Sequence, residues 1–241
     1  MNKKKEFNKV ICIGMHKTGT TTLGLALLDL GYNVLGARTD LADILLEGKI
    51  EETLEVARPY NALQDVPWAL LYKELDKKYP NSIFILTERD ENNWLNSVLR
   101  HFANTYIPLH EWIYGKGIAL GNEDIYLEKY KKHYKEVKEY FKNKPEDLLI
   151  ISLSNGDGWI KLCSFLGHEV PNKKFPYANK GKHNLSLIEK GYNIFRAMIP
   201  TPIRRKLLDM LGFPDKRNRF NNHYENKEYR RQLKDKAERR Q

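Results

Sequence analysis

A short apolar run, Val10-Ile11-Cys12-Ile13, leads directly into Gly14-Met15-His16-Lys17-Thr18-Gly19-Thr20-Thr21-Thr22. From Thr20 onward Leu23, Leu27 and Leu30 fall at helical spacing, and Gly31 supplies a stop. The pattern reads as a buried strand, a tight glycine loop and a helix. Such a loop aims its backbone N–H groups and the helix N-terminus at one point, which suits a multiply charged anion. The threonine hydroxyls add further donors. A strand that enters a helix this way is the opening unit of a parallel α/β sheet.

The rest of the chain repeats the alternation. Strands are expected at 32–35, 62–64, 83–86 and 148–153, and helices at 40–58, 67–78, 91–102, 126–141 and 159–166. Residues 103–122 carry Gly115, Gly117 and Gly121 among aromatics and read as an irregular, mobile segment. Weaker helical patterns follow at 184–198 and 202–211. The expected architecture is a three-layer α/β fold of P-loop type, a mostly parallel sheet flanked by helices. It occupies 8–212, with a basic extension, helical or disordered, over 213–241.

The loop is not the ordinary nucleotide triphosphate loop. Gly14 and Gly19 have the separation of G-x-x-x-x-G-K-[ST], but Thr20 stands where that motif has its lysine. The lysine lies three residues earlier, at Lys17. That displacement argues against ATP or GTP hydrolysis while keeping a phosphate cradle with a cation on its crest.

The stretch G-M-H-K-T-G-T-T-T-L resembles the 5′-phosphosulfate loop of sulfotransferases that use 3′-phosphoadenylyl sulfate (PAPS). A second similarity runs from Phe84 through Arg89 and Asp90 to Trp94 and Ser97. Sulfotransferases carry an Arg at a strand end and a Ser eight residues later, both on the donor's 3′-phosphate. Arg suits a terminal phosphate because its fork donates two parallel hydrogen bonds. A third, Gly158-Trp159 to Leu162-Cys163 and Phe165-Leu166-Gly167, is similar to one branch of that superfamily found in bacteria and some eukaryotes. Its apolar residues are helically spaced and read by themselves as core.

The resemblance, spanning roughly 9 to 180, implies PAPS as donor and adenosine 3′,5′-bisphosphate as product. It implies Lys17, Thr18, Gly19, Thr20, Thr21 and Thr22 around the 5′-phosphate and sulfonate, and Arg89 and Ser97 on the 3′-phosphate. Lys180 and Gly181 fall where many members have an R-K-G loop; the Arg is missing here, and a solvated turn is the other reading. In-line transfer needs positioning, charge stabilisation and a base for the acceptor proton. Lys17 is assigned to the bridging oxygen. Asp65, at a strand end, is the first candidate base, with a helix cap as its alternative. His16 is the second, with packing as its alternative; His110 and Asp124 follow. The scattered histidines form no metal-ligand pattern, and no metal is required.

Lys and Arg number 41 against 31 Asp and Glu, a net charge of +10. Residues 215–241 hold ten of the former and five of the latter. The surplus favours anionic ligands and can bring the tail to anionic surfaces. Cys12 and Cys163 sit in apolar runs without metal or redox spacing, and no segment has the length of a membrane span. A soluble cytoplasmic protein is expected, acting on a hydroxyl of a glycan, lipid or small molecule, with no specific nucleic acid. Two competing readings stay open: a P-loop kinase, and a non-catalytic anion- or nucleic-acid-binding module.

Overall fold

Strands β1 (Val10–Cys12), β2 (Val34–Leu35), β3 (Ala62–Gln64), β4 (Ile83–Thr87) and β5 (Leu148–Ile151) form one sheet in the order β2-β3-β1-β4-β5, with every pair parallel. The structure is a computed structural model and describes residues 7–176. The register aligns Cys12 with Gln64 on one side and with Ile85 on the other.

Alternation along the strands decides where the helices go. Val10, Cys12, Val34, Ala62, Ile83 and Ile85 face one way and pack on α1 (Thr20–Asp29) and the Trp159–Leu166 helix. Ile11, Ile13, Leu35, Leu63, Phe84 and Leu86 face the other way. They meet α2 (Ala42–Leu46), α3 (Ile50–Val56), α4 (Tyr72–Lys78), α5 (Glu91–Phe102), α6 (Pro108–Tyr114) and α7 (Glu123–Tyr140); the Trp159–Leu166 helix is α8. The sheet is thus covered on both faces, as parallel sheets require. Among the described residues no helix is long and apolar enough to cross a membrane.

The expected elements are found with small shifts. The helix expected at 67–78 is a 3-10 turn, Trp68–Leu70, followed by α4. The helical stretch at 40–58 is a 3-10 turn, Thr39–Leu41, and then two short helices. Residues 103–122 correct the expectation of an irregular segment. They contain α6, which has Pro108 in its first turn and the left-handed Gly115 as its C-cap. Pro and Gly here punctuate a helix. Its Leu109, His110, Ile113 and Tyr114 are buried. The patterns at 184–198 and 202–211 and the 213–241 extension lie outside the described residues.

The strand order also selects a crevice. From β1 the chain leaves toward β2, and from the adjacent β4 it leaves toward β5, on the opposite side. Ligands of open α/β sheets bind beyond the carboxyl ends of strands at such a switch point. Here those ends are Gly14 and Thr87-Glu88-Arg89.

Candidate active site

The loop is drawn tightly over the end of β4. Ile13 N–H continues the ladder to Ile85 O at 2.8 Å, and Gly14 then crosses Thr87 so closely that a Cβ would lie 1.9 Å from Thr87 Oγ1 and 2.7 Å from Thr87 O. Thr18 Oγ1 donates to Met15 O at 2.6 Å and meets Thr87 Oγ1 at 2.6 Å. With its proton on Met15 O, Thr18 accepts from Thr87. What it can offer an anion is therefore its backbone N–H. Gly19 caps α1 at φ 103°, in the left-handed region, and a Cβ there would press on Leu153 Cδ1 at 2.9 Å. No acidic residue occupies the first turn of α1. Its N-terminal N–H groups have no intrahelical acceptors and carry the positive end of the helix dipole.

Lys17, in the loop before α1, and Asp65, bonded to Thr20 at its start, are each on left-handed backbone, at φ 67° and 71°. For residues other than glycine that conformation costs roughly 1–2 kcal/mol. Asp65 follows β3 directly; its Oδ2 accepts from Thr20 Oγ1 at 2.6 Å and its Oδ1 from Val66 N–H at 2.8 Å. Burial raises the Asp65 pKa, and the two hydrogen bonds and Lys17 offset this in part. Burial lowers the Lys17 pKa, Asp65 opposes that, and Arg89 and Arg100 add to it. The Lys17 ammonium lies 5.7 Å from the centre of the Phe102 ring.

Arg89 leaves the end of β4 and donates from one terminal nitrogen to Lys17 O at 2.9 Å. Its Nε is buried without a partner among the described residues. Its pKa is lowered by burial and then by the charge of Arg100. Ser97 is half-buried on α5, one helical turn before Arg100. Arg100 was not singled out from the sequence, yet its charge bears on both Lys17 and Arg89. The i, i+3 spacing from Ser97 was the available signal. Thr21 is half-buried and Thr22 buried on the first turn of α1.

His16 points away from solvent into an aromatic box. It stacks on His110 at 4.9 Å and on Trp94 at 5.9 Å, and meets the edge of Phe102 at 5.3 Å. Its Nε2 is 3.2 Å from the Tyr114 hydroxyl, and its Nδ1 has no partner among the described residues. Burial holds its pKa well below the usual histidine range, and the same cause brings His110 to about 3. Both rings are neutral at neutral pH. They are not scattered as the sequence reading has them. His110 Nδ1 meets the Tyr126 hydroxyl at 3.2 Å, in the packed interior. Asp124 is exposed in the first turn of α7. Ten residues separate it from Tyr134, about 15 Å along the helix. Among the described residues no group of three His, Cys, Asp or Glu is gathered to hold a metal ion. Lys180 and Gly181 lie outside the described residues.

Backbone of the loop and of the β4 end is held by side chains from elsewhere. Trp94 Nε1 donates to His16 O at 2.8 Å, and Tyr134 donates to Thr87 O at 2.6 Å while accepting from Met15 N–H at 3.3 Å. His133 Nε2 lies 2.7 Å from Ile13 O, and Tyr130 bonds both backbone groups of Arg89.

A family model described as "Sulfotransferase domain" matches residues 9–184. The chain belongs to the sulfotransferase domain family. A relative from Aspergillus versicolor, "Ava biosynthesis cluster protein M", is 26% identical over 212 residues, covering 70% of this chain and 80% of its own. The five-stranded parallel sheet with helices on both faces agrees with a P-loop-like sulfotransferase fold. The Gly14 loop, Asp65, Arg89 and Ser97 all fall inside the matched sulfotransferase region.

Proposed function

We propose that this sulfotransferase-family protein moves the sulfonate group of PAPS to an acceptor hydroxyl, releasing adenosine 3′,5′-bisphosphate. The observation that carries the donor assignment is the pair of cation-bearing anion sites at one switch point. One is the Gly14–Thr22 loop with Lys17. The other is Arg89, whose buried Nε lacks a partner among the described residues and whose guanidinium feels the charge of Arg100. Two separated phosphate groups on one nucleotide match two such sites, and an unpaired buried guanidinium nitrogen is costly unless a ligand pairs it.

The donor supplies the sulfonate and a leaving group that gathers negative charge. Lys17, on the crest of the loop, stabilises that charge where it develops, and the N–H groups of Thr18 to Thr22 hold the phosphate. Asp65 accepts the acceptor's proton as the new O–S bond forms and the S–O bond to the bisphosphate breaks. Its raised pKa makes it a stronger base than an exposed carboxylate, and its bond to Thr20 keeps it aimed across the helix start. His16 belongs to the wall that backs the loop, since its neutral ring is enclosed by Trp94, Phe102, His110 and Tyr114. The acceptor is a small molecule, lipid or glycan bearing a hydroxyl.

Thermal shift tests the donor site. Adenosine 3′,5′-bisphosphate at 100 times its Kd is expected to stabilise the protein by about 2.7 kcal/mol. Lys17→Ala removes most of that gain, and ATP with magnesium gives none. Stabilisation by ATP with magnesium and not by the bisphosphate would favour a kinase and sink the proposal. Transfer of labelled sulfonate from PAPS across a panel of alcohols, phenols and glycans then identifies the acceptor.

A further inference from the structure

Arg89 occupies a gap in the secondary structure. The β4 ladder ends at Thr87, Glu88 N–H still reaches Ile151 O at 2.9 Å, and α5 begins only at Glu91. The backbone of Arg89 therefore belongs to neither ladder nor helix. It is held by a single phenol: Tyr130 donates its hydroxyl proton to Arg89 O at 2.7 Å and accepts from Arg89 N–H at 3.3 Å. One oxygen satisfies both groups, which a hydroxyl can do because it is donor and acceptor at once.

The ring of Tyr130 is itself fixed. It is 3% exposed, stacks on Trp94 at 4.2 Å and packs on Tyr134 at 4.3 Å. Burial pushes its pKa up to about 12, so the phenol keeps its proton across the working range. At the other end of Arg89, one terminal nitrogen is committed to Lys17 O. Backbone and one terminal nitrogen are thus both anchored, and the buried Nε has no partner among the described residues.

Resting on the reading of Arg89 as the 3′-phosphate ligand, we propose that Tyr130 is a positioning residue for donor selectivity. It sets the Arg89 guanidinium for a 3′-phosphorylated nucleotide without touching that nucleotide itself. Bidentate recognition tolerates little angular error, so loosening the backbone beneath Arg89 weakens the 3′-phosphate contact selectively.

The test is calorimetric titration of wild type, Tyr130→Phe and Arg89→Ala with two probes, adenosine 3′,5′-bisphosphate and adenosine 5′-monophosphate. Tyr130→Phe keeps the ring stack and removes one oxygen. It is expected to weaken the bisphosphate about tenfold, the scale of one charge-assisted hydrogen bond, and the monophosphate less than about twofold. Arg89→Ala is expected to abolish the preference for the bisphosphate. Equal weakening of both probes by Tyr130→Phe would overturn the proposal, because a purely structural role acts on both. An unchanged preference in Tyr130→Phe, with Arg89→Ala losing it, overturns the role of Tyr130 alone. A wild type that does not prefer the bisphosphate overturns the donor reading and this role with it. Should Tyr130→Phe not fold, Tyr130→4-aminophenylalanine retains a donor to Arg89 O. It is expected to keep most of the preference, and equal weakening of both probes by it refutes the proposal.

Discussion

Replacing Gly14 with alanine tests whether the loop is held against β4 as tightly as the geometry implies. The added Cβ would sit 1.9 Å from Thr87 Oγ1, 2.7 Å from Thr87 O and 2.8 Å from Thr87 N. The hydroxyl can rotate away, but only by giving up its bond to Thr18, about 1 kcal/mol. The two backbone atoms cannot rotate away. Relieving them moves the loop off β4 and strains the Tyr134 bond to Thr87 O, and overpacking of this kind costs about 1–3 kcal/mol. Together the terms give roughly 2–4 kcal/mol, which for a domain of this size lowers Tm by about 5–15 °C.

Circular dichroism melts of the full chain, backed by guanidinium titration, measure the loss. Adding Thr87→Ala to Gly14→Ala removes the hydroxyl clash but also deletes the bond to Thr18, and it leaves the two backbone clashes, so little of the loss should return. A Gly14→Ala protein melting within about 2 °C of wild type would refute the reasoning. So would full recovery in the double variant, which would make the side chain the only obstacle.

Asp65→Asn should separate function from stability. Its transfer rate should fall by about 10²- to 10⁴-fold, the range for losing a general base, while the free protein melts at a higher temperature. The folded pKa of Asp65 is raised by burial, so wild-type stability is full below the ordinary carboxylate range and is lost as pH rises through the folded value. The advantage of the Asn variant therefore opens across that window and stays level above it; a lower melting temperature at pH 7 would contradict this. In wild type the same shift puts the acid limb of kcat/KM above the usual carboxylate range. The lowered Lys17 pKa brings the alkaline limb below 10.5, and limbs at unperturbed positions would argue against both assignments. Lys9→Met should destabilise by about 2–4 kcal/mol. The Lys9 ammonium donates to Ala57 O and Arg58 O at 3.2 Å and to Tyr60 O, gathering the carbonyls after α3. Urea denaturation reads this directly, and a change below about 1 kcal/mol would show those carbonyls to be satisfied otherwise.

Local chemistry made much of this fold legible. The β3 and α5 boundaries, Ala62–Gln64 and Glu91–Phe102, follow from apolar runs ended by Asp65 and capped by Asp90, whose carboxylate accepts from Asn93 N–H at 2.9 Å. Helix α6 was hidden because three glycines close together read as flexibility, whereas only burial shows that Gly115 ends a helix. The candidate site divides in the same way. Its loop and Arg89 are visible in short motifs, since strand, turn and helix start are local. The Thr20–Asp65 bond joins residues 45 apart, and the His16–His110 stack joins two elements with no shared pattern. The helix carrying Tyr130 and Tyr134 reads from sequence only as a charged helix. Its inward hydroxyls acquire a meaning only when β4 lies beneath them.

That last arrangement has a consequence for the order in which the protein can be made. The loop at Met15 emerges from the ribosome before α7, and the hydroxyl that bonds its amide belongs to Tyr134, 119 residues later. Arg89 waits 41 residues for Tyr130. Contacts of such long separation form late, after the chain entropy between them has been surrendered. A nascent chain released before α7 therefore holds the whole signature loop and no finished anion cradle, and a truncation at that point should bind no nucleotide.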